Sequence, residues 1–271
     1  MDIARVITDP VYTFDFSVCT LVTRQQEYQE MLDSFLAKGF DAASTEYLCV
    51  DNIGKCTYDA YTGLNQFLQQ AKGRYIILCH QDIILHDHDK QHLLNKIEEI
   101  TQLDENWGIL ANAGAVNFKW IATNLTQGTG KRIKEKRLPL LTKTIDENFI
   151  LVKNNANLAL SHNLSGFHMY GTDICLMADI LGYTSYVIDF NLTHKSNGNA
   201  DANFFKSRKE FIKKYDHALR SRFMATTITR FYISGNWFTA LVYNLQPVKF
   251  LVRQYYKAFF HKKRYVPTKN R

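Results

Sequence analysis

Hydrophobic positions in the first third of the chain fall alternately into short apolar runs and one-sided periodic stretches. Phe16 to Val22 (FSVCTLV) is an apolar, β-rich run that predicts a strand, and Thr23 with Gln26 three residues later reads as a capping box for the helix that follows. That helix keeps Tyr28, Met31, Leu32, Phe35 and Leu36 on one face and stops at Gly39. Tyr47 to Val50 predicts a second strand. A second helix from about Tyr58 places Tyr61, Leu64, Phe67, Leu68 and Ala71 on its buried side and ends at Gly73, and Tyr75 to Cys79 (YIILC) is a third strand. Strands alternating with one-faced helices predict an α/β fold: a Rossmann-like, mostly parallel central sheet with helices on both faces. Such sheets bind ligands at the carboxyl ends of their strands.

The pattern then loosens. His88 to Leu103 reads as a helix, GILANAGAV from Gly108 as a strand, and the basic stretch Lys131 to Arg137, preceded by Gly128 and Gly130, as a mobile surface loop. Phe149 to Val152 and Tyr186 to Phe190 are strand candidates, and Asp173 to Leu181 is a helix closed by Gly182. From Asn203 onward the residues become aromatic and basic, so the expected organisation is an α/β domain over 1–202 and a C-terminal helical extension over 203–271.

Composition narrows the class. With 271 residues, 46% hydrophobic and 22% charged, the chain has the means for a large core, which excludes a disordered or collagen-like protein. The net charge of +7 is unevenly placed: residues 1–200 carry 17 Lys and Arg against 23 Asp and Glu, and residues 201–271 carry 16 against 3. A polyanionic partner therefore meets the tail first. The start, MDIARVITDP, lacks the pattern of a secretory leader, and the longest charge-free stretch, Phe231 to Val248, is too polar to span a bilayer. The expected location is cytoplasmic, peripheral at the inner face of the membrane. The sequons at Asn124, Asn163 and Asn191 are then incidental, and Cys19, Cys49 and Cys79 read as reduced, buried thiols. Neither a Walker loop nor a GxGxxG fingerprint is present.

Three acidic residues stand where strand-end chemistry is sought: Asp51 after YLCV, Asp82 after YIILC, and Asp173 in GFHMYGTDICL. Each also suits a turn or a helix cap. A carboxylate after the second strand can accept hydrogen bonds from a nucleobase or ribose, and one after the third can hold a divalent cation against a diphosphate. His80, two residues before Asp82 and so on the same face of an extended chain, and His194, after YVIDFNLT, are candidate nitrogen ligands. His86, His88 and His92 are spaced like a solvated helix start.

These residues resemble the metal-dependent GT-A glycosyltransferases, family-2-like members of the subgroup that shares a domain with a streptomycin-biosynthesis protein. The resemblance covers residues 16–200. It rests on VCTLVTRQQ, Asp51-Asn52, NQFLQQAKGRYIILCHQD and GFHMYGTDICLMADILGYTSYVIDFNLTH. It implies a nucleotide site at Thr20, Val22, Thr23, Asp51, Asn52, Asn65, Lys72, Gln81 and Asp82. The triplet His80-Gln81-Asp82 takes the place of the family's D-x-D, with Mn²⁺ or Mg²⁺ bound by Asp82, His194 and His80. Asp173 is implied as the base of an inverting transfer from a nucleotide-diphosphate sugar to a glycan or lipid-linked acceptor, as in surface-polysaccharide synthesis. His80 departs from the family pattern by replacing the first aspartate.

The tail, including FLVRQYYKAFFHKKRY, mixes aromatics with Lys and Arg in the manner of helices at an anionic membrane surface, and the basic 131–137 loop offers a closure over the diphosphate. No nucleic-acid motif accompanies it. The alternatives are a catalytically silent GT-A-like binding protein, with His80 marking a lost metal site, and a nucleotidyltransferase. The latter is disfavoured because TRQQEY holds the place of its basic, glycine-rich loop.

Overall fold

The computed structural model describes residues 3–4, 6–196, 198 and 201–260. The chain forms two compact units, residues 1–211 and residues 212–271.

In the first unit the apolar runs form β1 (Phe14–Val22), β2 (Thr45–Asp51) and β3 (Gly73–Cys79), joined by α1 (Gln25–Ala37) and α2 (Ala60–Gln70). Next come β4 (Ile83–Ile84), α3 (Lys90–Leu103), β5 (Trp107–Ala111), β6 (Ala113–Ala115), β7 (Ile121–Gln127) and β8 (Arg132–Lys134). The unit continues with β9 (Leu140–Leu141), β10 (Thr144–Ile145), β11 (Phe149–Lys153), α4 (Tyr170–Ile180), β12 (Thr184–Val187) and β13 (Thr193–His194), and the unit boundary falls within α5 (Ala202–Ala218).

The large sheet has the order β2-β1-β3-β11-β5-β12-β9. Its β1–β2, β1–β3 and β5–β12 pairs are parallel, while β11 runs antiparallel to both β3 and β5. The smaller sheet has the order β10-β6-β7-β13-β4, with β8 on β7. One face of the large sheet packs Phe16, Val18, Ile77, Leu110 and Phe149 against Met31 and Phe35 of α1 and Leu93, Ile97 and Ile100 of α3. The opposite face carries Cys19, Ile76 and Leu78, with Leu64 and Phe67 of α2 equally buried. Burial on both faces is why these strands read as continuous apolar runs.

Several boundaries differ from expectation for local reasons. The Thr23–Gln26 box does not form: α1 begins after Arg24 with no side-chain cap, because Thr23 Oγ1 accepts a hydrogen bond from Gln81. Leu36 is exposed, and α2 starts at Ala60, where the Asp59 carboxylate caps Thr62 N. Gly73 opens β3 rather than closing α2; a Cβ there would sit 2.5 Å from the Phe16 carbonyl carbon. Cys49 is exposed on the edge strand β2, whereas Cys19 and Cys79 are buried thiols as expected. The run from Gly108 breaks at Asn112 into two strands belonging to different sheets. The basic 131–137 segment is not a free loop. Its middle forms β8, with Arg132 paired to Asp87 at 3.1 Å and Lys134 to Asp189 at 3.2 Å, so these two charges are held within the fold.

The second unit contains the hairpin β14 (Arg222–Ala225) and β15 (Arg230–Ile233), followed by α6 (Trp237–Tyr243) and α7 (Gln246–Phe260). Asn244 ties α6 to the hairpin by accepting from Tyr232 N and donating to Tyr232 O, both at 2.9 Å. Phe223, Tyr232 and Tyr243 pack together nearby in tilted and edge-on ring contacts. Among the described residues no helix is long and apolar enough to cross a membrane. Residues 261–271, with the Lys262, Lys263 and Arg264 part of the basic run, lie outside the described residues.

Candidate metal centre and cavity

The chain leaves the large sheet at Cys79 and enters the small one at Ile83, and His80 and Asp82 stand in that crossing. Antiparallel pairing of β13 with β4 brings His194 opposite Ile83. Sequence distance is thereby closed: His194 Nε2 lies 3.3 Å from Asp82 Oδ1 and 3.2 Å from His80 Nδ1. One ligand atom from each of the three falls within 4.8 Å of the others.

The surrounding bonds orient these donors. Tyr170 Oη donates to the Glu147 carbonyl at 3.2 Å and lies 2.9 Å from His80 Nε2. With its own proton committed, the hydroxyl accepts from His80 Nε2–H, which leaves the Nδ1 lone pair aimed at His194 and Asp82. Asp82, 8% exposed, accepts from Ser196 N through Oδ2 at 3.1 Å. Burial alone raises its pKa, but hydrogen bonds from His194 and Ser196 outweigh that and hold the carboxyl well below the usual range. Burial first, and then the neighbouring His194, push His80 down, towards neutral imidazole. Two imidazole nitrogens and one carboxylate oxygen converging in this way fit a divalent cation that accepts mixed nitrogen and oxygen ligands.

Beside this cluster opens a cavity of about 830 Å³. His80, His194 and Ser196 form part of its wall, Ile121, Leu125, Phe167 and Phe204 supply apolar surface, and Asp146 and Glu147 supply carboxylates; among the described residues no Lys or Arg lines it. Asp146 Oδ1 accepts from Asn148 N at 3.0 Å and also from the Asn148 side-chain amide. Glu147 Oε1 accepts from Gly171 N at 3.1 Å, at the amino end of α4. A Cβ on Gly171 would lie 2.7 Å from the Ile145 carbonyl oxygen and 3.0 Å from Glu147 Cγ, so only glycine lets the carboxylate approach so closely. Met169, left-handed at φ 69°, turns the chain into α4 and also lines the cavity.

Burial pushes Glu147 up to about 8, against the opposing amide of Gly171. A carboxyl raised in the folded state favours the protonated form, so stability is fully present below the unfolded value near 4.5 and falls as pH rises towards 8. Glu147→Gln is therefore expected to flatten this slope and to melt higher than wild type at pH 8. Thermal denaturation of both proteins between pH 5 and 8 reads the difference.

The other sequence-derived site residues divide. Thr23 and Asp51 are exposed at the adjacent carboxyl ends of β1 and β2, where Val22 pairs with Asp51; Asp51 Oδ1 also caps Ile53 N at 2.9 Å. Gln81 reaches the Thr23 end, accepting from Thr23 N at 2.7 Å and Arg24 N at 3.0 Å. Five expected nucleotide contacts are not available to a ligand. Thr20 and Val22 are buried within β1, Thr20 against the Cys79 thiol and Val22 in the core. Asn52 is consumed in holding its own loop, its carbonyl oxygen accepting from Thr57 N and Tyr58 N. Asn65 is clamped in both directions to the Leu160 backbone. Lys72 precedes β3 and so stands at the opposite end of the parallel strands.

Asp173 requires the largest correction. It lies in the first turn of α4 at 0% exposure, and its two oxygens accept from Ser161 N at 2.7 Å and Ser161 Oγ at 2.6 Å. A carboxylate so enclosed cannot meet an acceptor hydroxyl; Thr172 is the helix residue that faces the cavity. Asp173→Asn is accordingly expected to cost about 1–3 kcal/mol of stability, by unpairing a buried donor. A melting scan that leaves the variant at the wild-type temperature while transfer is lost would return Asp173 to the chemistry.

The chain matches no family model. It is 32% identical over 237 residues, covering 84% of this chain and 94% of the relative, to the "ATP synthase subunits region ORF 6" protein of Fuscovulum blasticum. Among solved structures it is similar to the mannosyltransferase PcManGT from Pyrobaculum calidifontis in complex with GDP-Man and Mn²⁺. That likeness has a TM-score of 0.50 at 12% identity over 94% of this chain and 73% of the other. GalNAc-T7 with UDP, GalNAc and Mn²⁺ superposes with a TM-score of 0.51 at 9% identity, over 76% of this chain and 48% of the other.

Proposed function

The chain belongs to the family of the Fuscovulum blasticum ORF 6 protein and has the GT-A fold of its structural neighbours, and from that premise we propose that it is a metal-dependent glycosyltransferase using a nucleotide-diphosphate sugar. One observation carries the reading: His80, Asp82 and His194 converge at the strand ends, and His80 and His194 also line a large cavity that holds two carboxylates. Thr23 and Asp51, exposed at the adjacent carboxyl ends of β1 and β2, suit the nucleoside. The cavity, walled by Phe167, Phe204 and the carboxylates, suits the transferred sugar and a glycan or lipid-linked acceptor.

His80, Asp82 and His194 would hold the cation; with two imidazoles in the set, Mn²⁺ would suit it better than Mg²⁺, which prefers oxygen ligands throughout. When bound, the cation neutralises charge on the departing diphosphate. Among the described residues no Lys or Arg lines the cavity, so none of them supplies a cation there. Asp146 takes the acceptor hydroxyl proton as that oxygen bonds to the anomeric carbon and the bond to the diphosphate breaks, an inverting displacement. Glu147, anchored to the α4 amide, positions this turn. The aromatic and basic residues from 203 onward bring the enzyme to an anionic membrane surface, where a lipid-linked acceptor resides.

The test is thermal denaturation with UDP, GDP, CDP, dTDP and ADP, each with Mn²⁺, with Mg²⁺ and with chelator. A ligand at 100 times its dissociation constant adds about 2.7 kcal/mol, a rise of about 5–10 °C for a chain of this size. One diphosphate stabilising only with metal supports the transferase and identifies the donor nucleotide. A flat panel refutes it in favour of a catalytically silent relative.

A further inference from the structure

The second unit holds a pocket of its own, of about 280 Å³, between the hairpin and α7. Phe223, Met224, Phe231 and Val252 wall it, and Arg230, Lys249 and Arg253 are the charged residues lining it. On α7 the spacing of Lys249, Val252, Arg253 and Tyr256 places all four on one face, and in the hairpin Arg230 pairs with Ala225 beside the Phe231–Met224 pair. No carboxylate lines this pocket, and none of its three cations has an ion-pair partner among the described residues. Across residues 212–260 there are eight Lys and Arg and a single acidic residue, Asp216. Three like charges gathered around an apolar hollow repel one another, and an anion placed among them removes that cost.

We infer that this pocket binds the phosphate headgroup of an anionic membrane lipid. The surroundings select the lipid over a free phosphate. Ile228 at the hairpin turn is 93% exposed and Trp237 76%, and no residue from Asp216 to Phe260 is buried. A free phosphate leaves such apolar side chains in water, whereas a bilayer that presents phosphate also offers them cover. The inference deepens the membrane reading given above and is independent of the transfer chemistry.

The full chain is sedimented with phosphatidylcholine vesicles containing phosphatidic acid, a phosphate monoester, and with vesicles containing phosphatidylserine at matched surface charge. About tenfold tighter binding to the phosphatidic acid vesicles is expected. Arg230→Gln with Arg253→Gln is expected to erase that preference, and so is the charge-neutral Ala225→Trp, which fills the pocket. Lys213→Gln with Lys257→Gln removes as much charge away from the pocket, and is expected to weaken binding to both vesicles while keeping the preference. Equal binding of wild type to the two vesicles, or loss of the preference in the Lys213 and Lys257 variant, overturns the pocket but not membrane attachment. Absence of binding to either vesicle overturns both. Release of the protein from vesicles by millimolar inorganic phosphate overturns the lipid as the source of the phosphate.

Discussion

Asp82→Asn is expected to reduce sugar transfer by about 10³-fold while leaving the fold intact, the loss corresponding to several kcal/mol of charge stabilisation at the diphosphate. The amide keeps the size of the side chain, and its oxygen can still accept from Ser196 N, the bond made by Asp82 Oδ2 at 3.1 Å. What disappears is the one carboxylate among the three donors, and with it the formal negative charge of the trio. Titration of Mn²⁺ into the variant, followed by the metal's spin-resonance signal, should show binding lost in parallel with transfer. Retention of both Mn²⁺ affinity and activity would remove Asp82 from the centre. His80→Ala is the milder counterpart, because Asp82 and His194 still approach within 3.3 Å of each other without it.

Asp146→Asn carries the second large effect, a fall in kcat of about 10²- to 10⁴-fold, the usual contribution of a positioned general base. Its exposure on the cavity wall sets it apart from Asp173, which is sealed beneath Ser161. Because only the base is lost, donor binding should persist, so the thermal response to nucleotide and metal stays that of wild type while turnover falls. The two substitutions thereby separate: Asp82→Asn abolishes the ligand-induced shift, and Asp146→Asn keeps it. Wild-type turnover in Asp146→Asn, measured with the nucleotide named by the thermal panel, would exclude this residue as the base.

The contrast between these carboxylates shows what was legible in the chain. The first three strands and the helices between them stand out because strands buried on both faces give unbroken apolar runs and one-faced helices give a regular stripe. The same burial misleads when a strand residue is read as a ligand contact: Thr20 and Val22 belong to a run with no side left for a nucleotide. The His80 and Asp82 pair is visible from its spacing, and His194 from its place after the run YVIDFNLT, but their meeting depends on the pairing of β4 with β13, strands too short to leave a periodic trace. Asp146 and Glu147 escape for a different reason. A search after strands assumes parallel neighbours, and β11 is antiparallel to β3, with Phe149 opposite Cys79. The residues just before β11 therefore arrive at the same end of the sheet as those just after β3. The carboxylates in TIDENFI precede a strand, and a signal exists only once that strand's direction is known.

The crossing from the large sheet to the small one, between Cys79 and Ile83, also limits how such a chain can diversify. Two of the residues in that crossing point donors at His194, so lengthening it by a single residue would turn one donor away and shift β4 against its partner. The apolar cavity wall is under no such restriction, since Phe167 and Phe204 come from segments that end in no shared register. Descendants of this fold can therefore exchange what they accept by altering those outer segments, while the few residues joining the two sheets keep the same length and the same chemistry.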